Sequence, residues 1–329
     1  MLLAMGSTGR TAAVISLLAA ALFFLWMGNA DPGPVAGTRP TLLAHRGIAQ
    51  RFDERDLRND TCTAQRLLPS GHAFLENTLP SIRASFDAGA DLVEIDVHPT
   101  TDGQFAVFHD WTLDCRTEGH GETRAHAMAE LKRLDVGYGY TADGGKTFPF
   151  RGRGIGLMPS LDEVLATFPQ RRFVINVKSR DPTEGERLVA ALARYPAGQR
   201  RLLVVYGGDE PVAAVRQRMP EVLTASRSTL KSCLLGYMAL GWSGYVPEGC
   251  RRSMVLVPVN ATWLLWGWPN RFQQRLRAVG SEVFAVGPYS GGFTSGIDTQ
   301  ADLARLPANY GGGIWTNEIA WCAKAVGRR

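Results

Sequence analysis

Dense charge is what this 329-residue sequence most conspicuously lacks. Charged residues make up 20%, and the formal net charge of +5 comes mostly from scattered arginine. No Lys/Arg run interleaves with aromatics, so a nucleic-acid partner has little support. Net charge of this size suits an anionic substrate or a membrane exterior without specifying either. No repeat or low-complexity tract stands out, which argues against solenoids and arrays. Neither a GxGxxG nor a P-loop follows the first apolar run, so a nucleotide fold is poorly supported as well. With 45% hydrophobic residues, the chain is an ordinary packed globular protein of one large or two smaller domains.

Long apolar runs are also scarce, and the one from Ala12 to Met27 is informative. Arg10 precedes it, small residues Gly28-Asn29-Ala30 follow, and then comes the loop-like DPGPVAG. That order describes a signal peptide, or an uncleaved anchor at the short limit for a bilayer span. The basic flank favours keeping that end inside and exporting the remainder, to a periplasmic, secreted or outward-facing anchored location. The expected division is residues 1–37 as leader plus linker and residues 38–329 as the folded unit. Export makes the five cysteines candidate disulfides. Cys233 and Cys250 bracket a short Gly-rich segment, and Cys62 with Cys115 would tie an insertion beside the candidate site. Cys322 is left over; buried free thiols are the alternative.

From Thr41 onward, apolar strands alternate with amphipathic helices. Thr41–Ala44 runs into His45-Arg46-Gly47, and a polar irregular stretch from Ile48 to Phe74 reads as a lid or specificity insert. Thr78 caps a helix with Pro80 in its first turn. Strands follow at Leu92–Val97, Phe105–Phe108, Phe173–Lys178, Leu202–Tyr206, Val222–Ala225, Met254–Val257, Val283–Val286 and Gly313–Thr316, mostly separated by helices. This rhythm implies an α/β fold with a parallel sheet. Polar residues recur at strand C-termini, so a closed (β/α)8 barrel with a long insertion after the first strand fits better than an open sheet.

The stretch AGADLVEIDVHPTTDGQFAVFHD, residues 88–110, is the centre of the site. Glu94 and Asp96, two apart on a strand, project to one face. The solvated face of an edge strand is the plainer reading of that pair. With His45-Arg46, His109-Asp110, Asn176 and Lys178 at neighbouring strand ends, and Glu76 following the insertion, they form what phosphodiester cleavage requires. Cations neutralise phosphoryl oxygens, one imidazole removes a proton and another protonates the leaving oxygen.

HRG, ENT before a helix, GADLVEIDVHPTTDG, FAVFHD, PSLDEVL and a strand ending in Lys together resemble the glycerophosphodiester phosphodiesterase family. The resemblance runs from Leu43 to about Lys178; beyond it only the rhythm and GIWTNE match. It implies a TIM barrel, a divalent cation (Ca²⁺ or Mg²⁺), and hydrolysis of a small-molecule glycerophosphodiester to an alcohol and sn-glycerol 3-phosphate. By position it makes His45 and His109 the acid–base pair, Arg46 and Lys178 the phosphate binders, and Glu94 and Asp96 metal ligands, with Glu76 and Asp110 supporting. Asn176 stands where the family usually has a third carboxylate, which implies a weaker metal site. Two alternatives remain: a lysophospholipase D or sphingomyelinase D-like enzyme acting on intact lipid, and a non-catalytic binding protein on a barrel scaffold. The aromatic segment Trp263–Trp268 and the leader are the features that would touch a membrane. Oligomeric state is not legible.

Overall fold

The computed structural model describes residues 7–34, 39–58, 61–290, 295–308 and 310–328. The expected boundary between residues 37 and 38 lies outside them. Nine strands form one sheet: β1 (Thr41–Ala44), β2 (Leu92–Pro99), β3 (Phe105–Val107), β4 (Arg172–Val177), β5 (Leu203–Gly207), β6 (Leu223–Ser226), β7 (Met254–Pro258), β8 (Glu282–Val286) and β9 (Gly313–Thr316). Eight run parallel in the order β6-β5-β4-β2-β1-β9-β8-β7, and β3 pairs antiparallel with β2 off that path. The end strands β6 and β7 meet through a bridge between Thr224 and Ser253. There the Ser253 hydroxyl donates to the Thr224 carbonyl at 2.8 Å. The result is a nearly closed parallel barrel with helices outside.

Side-chain parity explains how such a barrel holds both a core and a site. Val93, Ile95, Val97, Phe173, Ile175, Val177 and Val205 face outward and pack with Ile82, Phe86, Leu188 and Val215 of the helices. The opposite parity faces the lumen, where Leu43, Leu92, Val174, Val204, Phe284 and Trp315 form a dry plug. Register pairs Leu43 with Leu92 and with Trp315, and Val174 with Val204. Two residues further toward the C-terminal ends, the same inward parity carries His45, Glu94, Asn176, Tyr206 and Asn317. The strands therefore change from apolar to polar at one level of the lumen, which closes the bottom and leaves the top chemical.

The segment between β1 and its helix is more structured than the irregular loop the sequence suggested. Thr63–Arg66 is a 3₁₀ turn, and Phe52 bridges Leu67. Gln50 fastens the segment by donating to the carbonyls of His72 (3.1 Å) and Phe74 (2.8 Å). Its Cys62 is disulfide-bonded to Cys115 across 53 residues. Both sit against a second core that includes Leu75, Phe108, Leu131, Tyr140 and Phe150. Cys233 and Cys250 form the other disulfide and Cys322 is a buried free thiol.

Two helices depart from the sequence reading. The Gly-rich segment that Cys233 and Cys250 bracket begins inside a 14-residue helix, Arg227–Leu240, which carries Cys233. Ser226 caps that helix, accepting from the Thr229 amide at 3.4 Å. A closing helix, Ile319–Ala325, follows β9.

Candidate active site

The residues that enter the lumen are held by unusual backbone. Arg46 and Asn77 both adopt the left-handed conformation, φ 59° each, which costs free energy in any residue but Gly. The two are tied together, the Asn77 amide donating to the Arg46 carbonyl at 2.9 Å. Between His45-Arg46 and the helix Leu79–Asp87, Gly47 sits at φ 82°, and a Cβ there would lie 2.2 Å from the Ser81 hydroxyl. The glycine of HRG is thus required by close approach as well as by conformation. Thr78 caps the helix as expected, accepting from the Ser81 amide at 3.4 Å.

Asp96 is fully buried and wrapped by donors. Asn77 Nδ2 and Asn176 Nδ2 donate to its two oxygens at 3.0 and 2.9 Å. Lys178 Nζ and Arg46 Nε lie 3.3 Å from them. Burial opposes its charge, but Lys178, His109 and Arg46 outweigh that and hold the carboxyl well below the usual range. Glu94, also fully buried, accepts from the Arg46 amide at 3.1 Å. It goes the other way: burial first, then the neighbouring Asp96 charge, raise it above the ordinary value. Two carboxylates in one environment therefore carry opposite perturbations, a pattern common where protons or cations are handled.

The histidines are oriented through their Nδ1 atoms. His45 Nδ1 is 2.6 Å from Asn317 Oδ1, an acceptor, so Nδ1 carries the proton and Nε2 is the basic nitrogen. Asp298 fixes Asn317 in turn, accepting from its backbone and side-chain amides at 2.6 Å each. His109 Nδ1 is 2.6 Å from Asp110 Oδ1, with the same consequence. Burial followed by Arg46 lowers His45 to about 3. His109 is lowered by burial, Arg46 and Lys178, with Asp96 and Asp110 opposing. Burial thus favours the neutral form of both imidazoles.

Behind His109 sits a cation the sequence did not single out. Arg116, 2% exposed, places Nε 3.1 Å from Asp110 and NH2 3.3 Å from Glu76, while Arg46 reaches the same Glu76 oxygen at 3.3 Å. Burial pushes Asp110 up, but Arg116 and His109 keep it far below the ordinary range. Arg116 follows the disulfide-bonded Cys115 directly and donates to Thr63 of the insertion at 2.8 Å. Four further residues complete the site: Asn77, Tyr206, Asn317 and Arg116. Asn77 and Asn317 lie in the quoted ENT and GIWTNE motifs, whereas nothing in the sequence marks Tyr206 or Arg116.

His45, Arg46, His109, Lys178 and Asn176 line one cavity. Phe52, Leu57, Trp111, Leu256 and Trp315 give it apolar walls, partly from the insertion. The structure thus brings together every residue expected at the site: His45, Arg46, Glu76, Glu94, Asp96, His109, Asp110, Asn176 and Lys178. Among the described residues, no group of three or more His, Cys, Asp or Glu side chains is placed to hold a metal ion. The oxygen set is two carboxylates and an amide. Asn176 donates from Nδ2 to Asp96 and Tyr206, which leaves Oδ1 as its donor for a cation. The Asp96 charge raises the proton affinity of Glu94, and these carboxylates with Asn176 Oδ1 are hard oxygen donors of the kind a divalent cation takes, the third of them uncharged.

A parallel barrel with two tethered imidazoles, two cations and buried carboxylates at its C-terminal mouth defines a class: barrels equipped for anionic substrates. Residues 45–195 match the model of the glycerophosphoryl diester phosphodiesterase family. A glycerophosphodiester phosphodiesterase of Caldanaerobacter subterraneus is 32% identical over 133 residues, 39% of this chain and 51% of the relative. One from Bacillus subtilis is 33% identical over 126 residues, 36% and 42% respectively. The chain thus matches about half the length of these curated relatives. The uncharacterized protein Rv2277c of Mycobacterium tuberculosis is 26% identical over 249 residues, 68% of this chain and 81% of that protein. Its phosphodiesterase-domain crystal structure superposes with TM-score 0.61 at 17% identity, covering 87% of this chain and 99% of that one. An Oleispira antarctica phosphodiesterase in complex with the product sn-glycerol-3-phosphate gives TM-score 0.55 at 20% identity, covering 88% and 97%. Over residues 45–195 the chain belongs to the glycerophosphodiester phosphodiesterase family.

Proposed function

We propose that this protein is an exported phosphoric diester hydrolase that cleaves glycerophosphodiesters to an alcohol and sn-glycerol 3-phosphate. The observation that carries the reading is the pairing of His45 and His109. Each is fixed through a protonated Nδ1, by Asn317 and Asp110 respectively, and each lines the cavity that also holds Arg46 and Lys178. The relatives named for this activity support it.

In this mechanism Arg46 and Lys178 bind the phosphoryl oxygens and carry the charge that grows on them in the transition state. His45, held low by burial and Arg46, stays neutral and takes the proton of the attacking group at Nε2. His109, backed by the Asp110 carboxylate, is the better proton holder once the substrate anion is bound, and it protonates the leaving oxygen. Glu76 holds Arg46 in place. Glu94, Asp96 and Asn176 would hold a divalent cation, Ca²⁺ or Mg²⁺, which neutralises phosphoryl charge when bound.

The test is purified full-length protein against a panel of glycerophosphodiesters, glycerophosphocholine included, with chelator and metal add-back. Release of sn-glycerol 3-phosphate is expected; none from any member would leave a non-catalytic binding protein. A second reading, attack on intact lysophospholipid, draws on the apolar cavity wall of Phe52, Leu57 and Trp111. Head-group release from vesicles, measured beside glycerophosphocholine turnover, separates the two. The leader is the support for export, and detection outside the cytoplasm tests it.

A further inference from the structure

The leader and the barrel meet at one place. Ser7–Asn29 is a single helix in which Thr11–Asn29, 19 residues without a charge, is long and apolar enough to cross a membrane. At 1.5 Å per residue those residues span about 28 Å, close to the ~30 Å hydrocarbon thickness of a bilayer. None of the apolar stretch is buried against the barrel.

Its C-terminal end, in contrast, is clamped. The Arg275 guanidinium donates to the Gly28 carbonyl (2.9 Å) and to Asn29 Oδ1 (3.1 Å). The same group also bonds the Gly241 carbonyl and the Tyr237 hydroxyl at 2.8 Å each, so one side chain joins the leader to two barrel segments. Asn29 Nδ2 donates to the Trp242 carbonyl at 2.8 Å, and Asn270 Nδ2 to Asp31 at 3.1 Å. A cation on the last carbonyls of a helix satisfies groups that have no partner within it and complements the negative end of the dipole. The helix is joined to the barrel by a bonded junction.

The surface wall around that junction carries exposed aromatic side chains. Trp263 is 80% exposed, and Leu235, Leu240, Trp242, Tyr245 and Trp266 are exposed as well. They belong together: Trp266 Nε1 donates to the Met238 carbonyl at 2.9 Å, and the Tyr237 hydroxyl donates to the Trp266 carbonyl at 3.0 Å. The sequence run Trp263–Trp268 is therefore split. Trp268 packs on Phe272 and Tyr310, while Trp263 and Trp266 face out. Trp and Tyr concentrate where protein meets the headgroup layer, having an apolar body and a polar edge.

We propose that the helix is retained as a membrane anchor and that its clamp seats this wall, between the helices Arg227–Leu240 and Asn270–Ala278, on the lipid headgroup layer. The occupant is a bilayer because the helix that ends on the wall is apolar on all sides, and a spanning helix must deliver its last residues to that layer. Cleavage after Ala30 would remove Gly28 and Asn29, which supply two of the acceptors of Arg275. The proposal is independent of the phosphodiesterase reading, since no residue of the wall lines the cavity.

The experiment uses the full chain in phosphatidylcholine–phosphatidylglycerol vesicles, with an environment-sensitive fluorophore on Trp263→Cys or, as a control, on Asp87→Cys. Asp87 is exposed on the helix between β1 and β2, and β2 stands four strands from β7 around the barrel. The native cysteines are disulfide-bonded or buried, so labelling is selective. On transfer from detergent to vesicles, the Trp263→Cys label should shift to the blue with a severalfold gain in intensity, and the Asp87→Cys label should not change. Arg275→Ala in the labelled protein should reduce the shift while the protein still floats with the vesicles. An unmoved Trp263→Cys label, or one whose shift follows protein concentration in detergent instead of lipid, overturns the seating. Full retention of the shift in Arg275→Ala overturns the clamp. Membrane-extracted protein with an N-terminus beyond Ala30 overturns the retained anchor.

Discussion

Replacing Arg116 with Met tests the electrostatic design of the site most directly. The side chain is 2% exposed and faces two carboxylates, the half-buried Asp110 at 3.1 Å and the buried Glu76 at 3.3 Å. It also donates to Tyr140 at 3.2 Å and Thr63 at 2.8 Å. Met fills much of the volume, so the loss is chiefly of charge and hydrogen bonds. Glu76 retains Arg46 at 3.3 Å, whereas Asp110 retains the His109 ring and the more distant Arg46 charge. Removing one partner of a buried ion pair costs about 3–5 kcal/mol, which corresponds to roughly 10 °C in Tm for a domain of this size. The sign of the pH dependence follows from Asp110. Its native pKa is depressed, so the stability it contributes is present above the unfolded value near ~3.9 and is lost as pH falls through the native one. Without Arg116 the burial penalty dominates, Asp110 titrates higher, and the acid limb of the wild-type stability curve flattens in the variant. Denaturant unfolding of both proteins from pH 7 down to pH 3 measures this. A variant within ~0.5 kcal/mol of wild type at pH 7, with an unchanged acid limb, would refute the assignment of Arg116 as the counter-charge.

Four other outcomes are expected. His45→Ala and His109→Ala should each lower kcat for glycerophosphodiester hydrolysis by ~10²–10⁴-fold, and undiminished turnover in both would end the two-imidazole mechanism. Lys178→Met should cost ~10²–10³-fold in kcat, since its charge lines the cavity 3.3 Å from Asp96; full activity would remove it from the proposed phosphate-binding role. Asn176→Asp should lower the metal concentration needed for half-maximal activity, because it restores a charged donor beside Asp96, and metal titration after chelation reads this. Replacing both Cys62 and Cys115 with Ser opens a 53-residue loop and should destabilise the protein by about 4 kcal/mol in chemical denaturation, an effect absent under reducing conditions.

What the sequence determined by itself follows from periodicity and local chemistry. Alternating strands and helices specify a parallel barrel because each strand must bury one face against a helix and the other in the lumen. Glu94 and Asp96 had to share a face, since a strand has period two, and both are fully buried in the lumen. Glycine at position 47 and the Thr78 cap are likewise local necessities. Gly236 weakens the helical signal of Arg227–Leu240, which the Ser226 cap and packing around Tyr237 hold in place.

Only the tertiary structure decided which residues support the chemistry. Asn317 lies 272 residues from His45 and orients it because β9 pairs with β1. Tyr206 reaches Asn176 because β5 pairs with β4. Arg116 looks like any surface arginine until the fold buries it between Asp110 and Glu76. The same holds for Arg275, an ordinary helical arginine that the fold places at the end of the leader helix. A charge's role depends on what surrounds it in three dimensions, since desolvation and counter-charges set its energy, and sequence spacing carries neither.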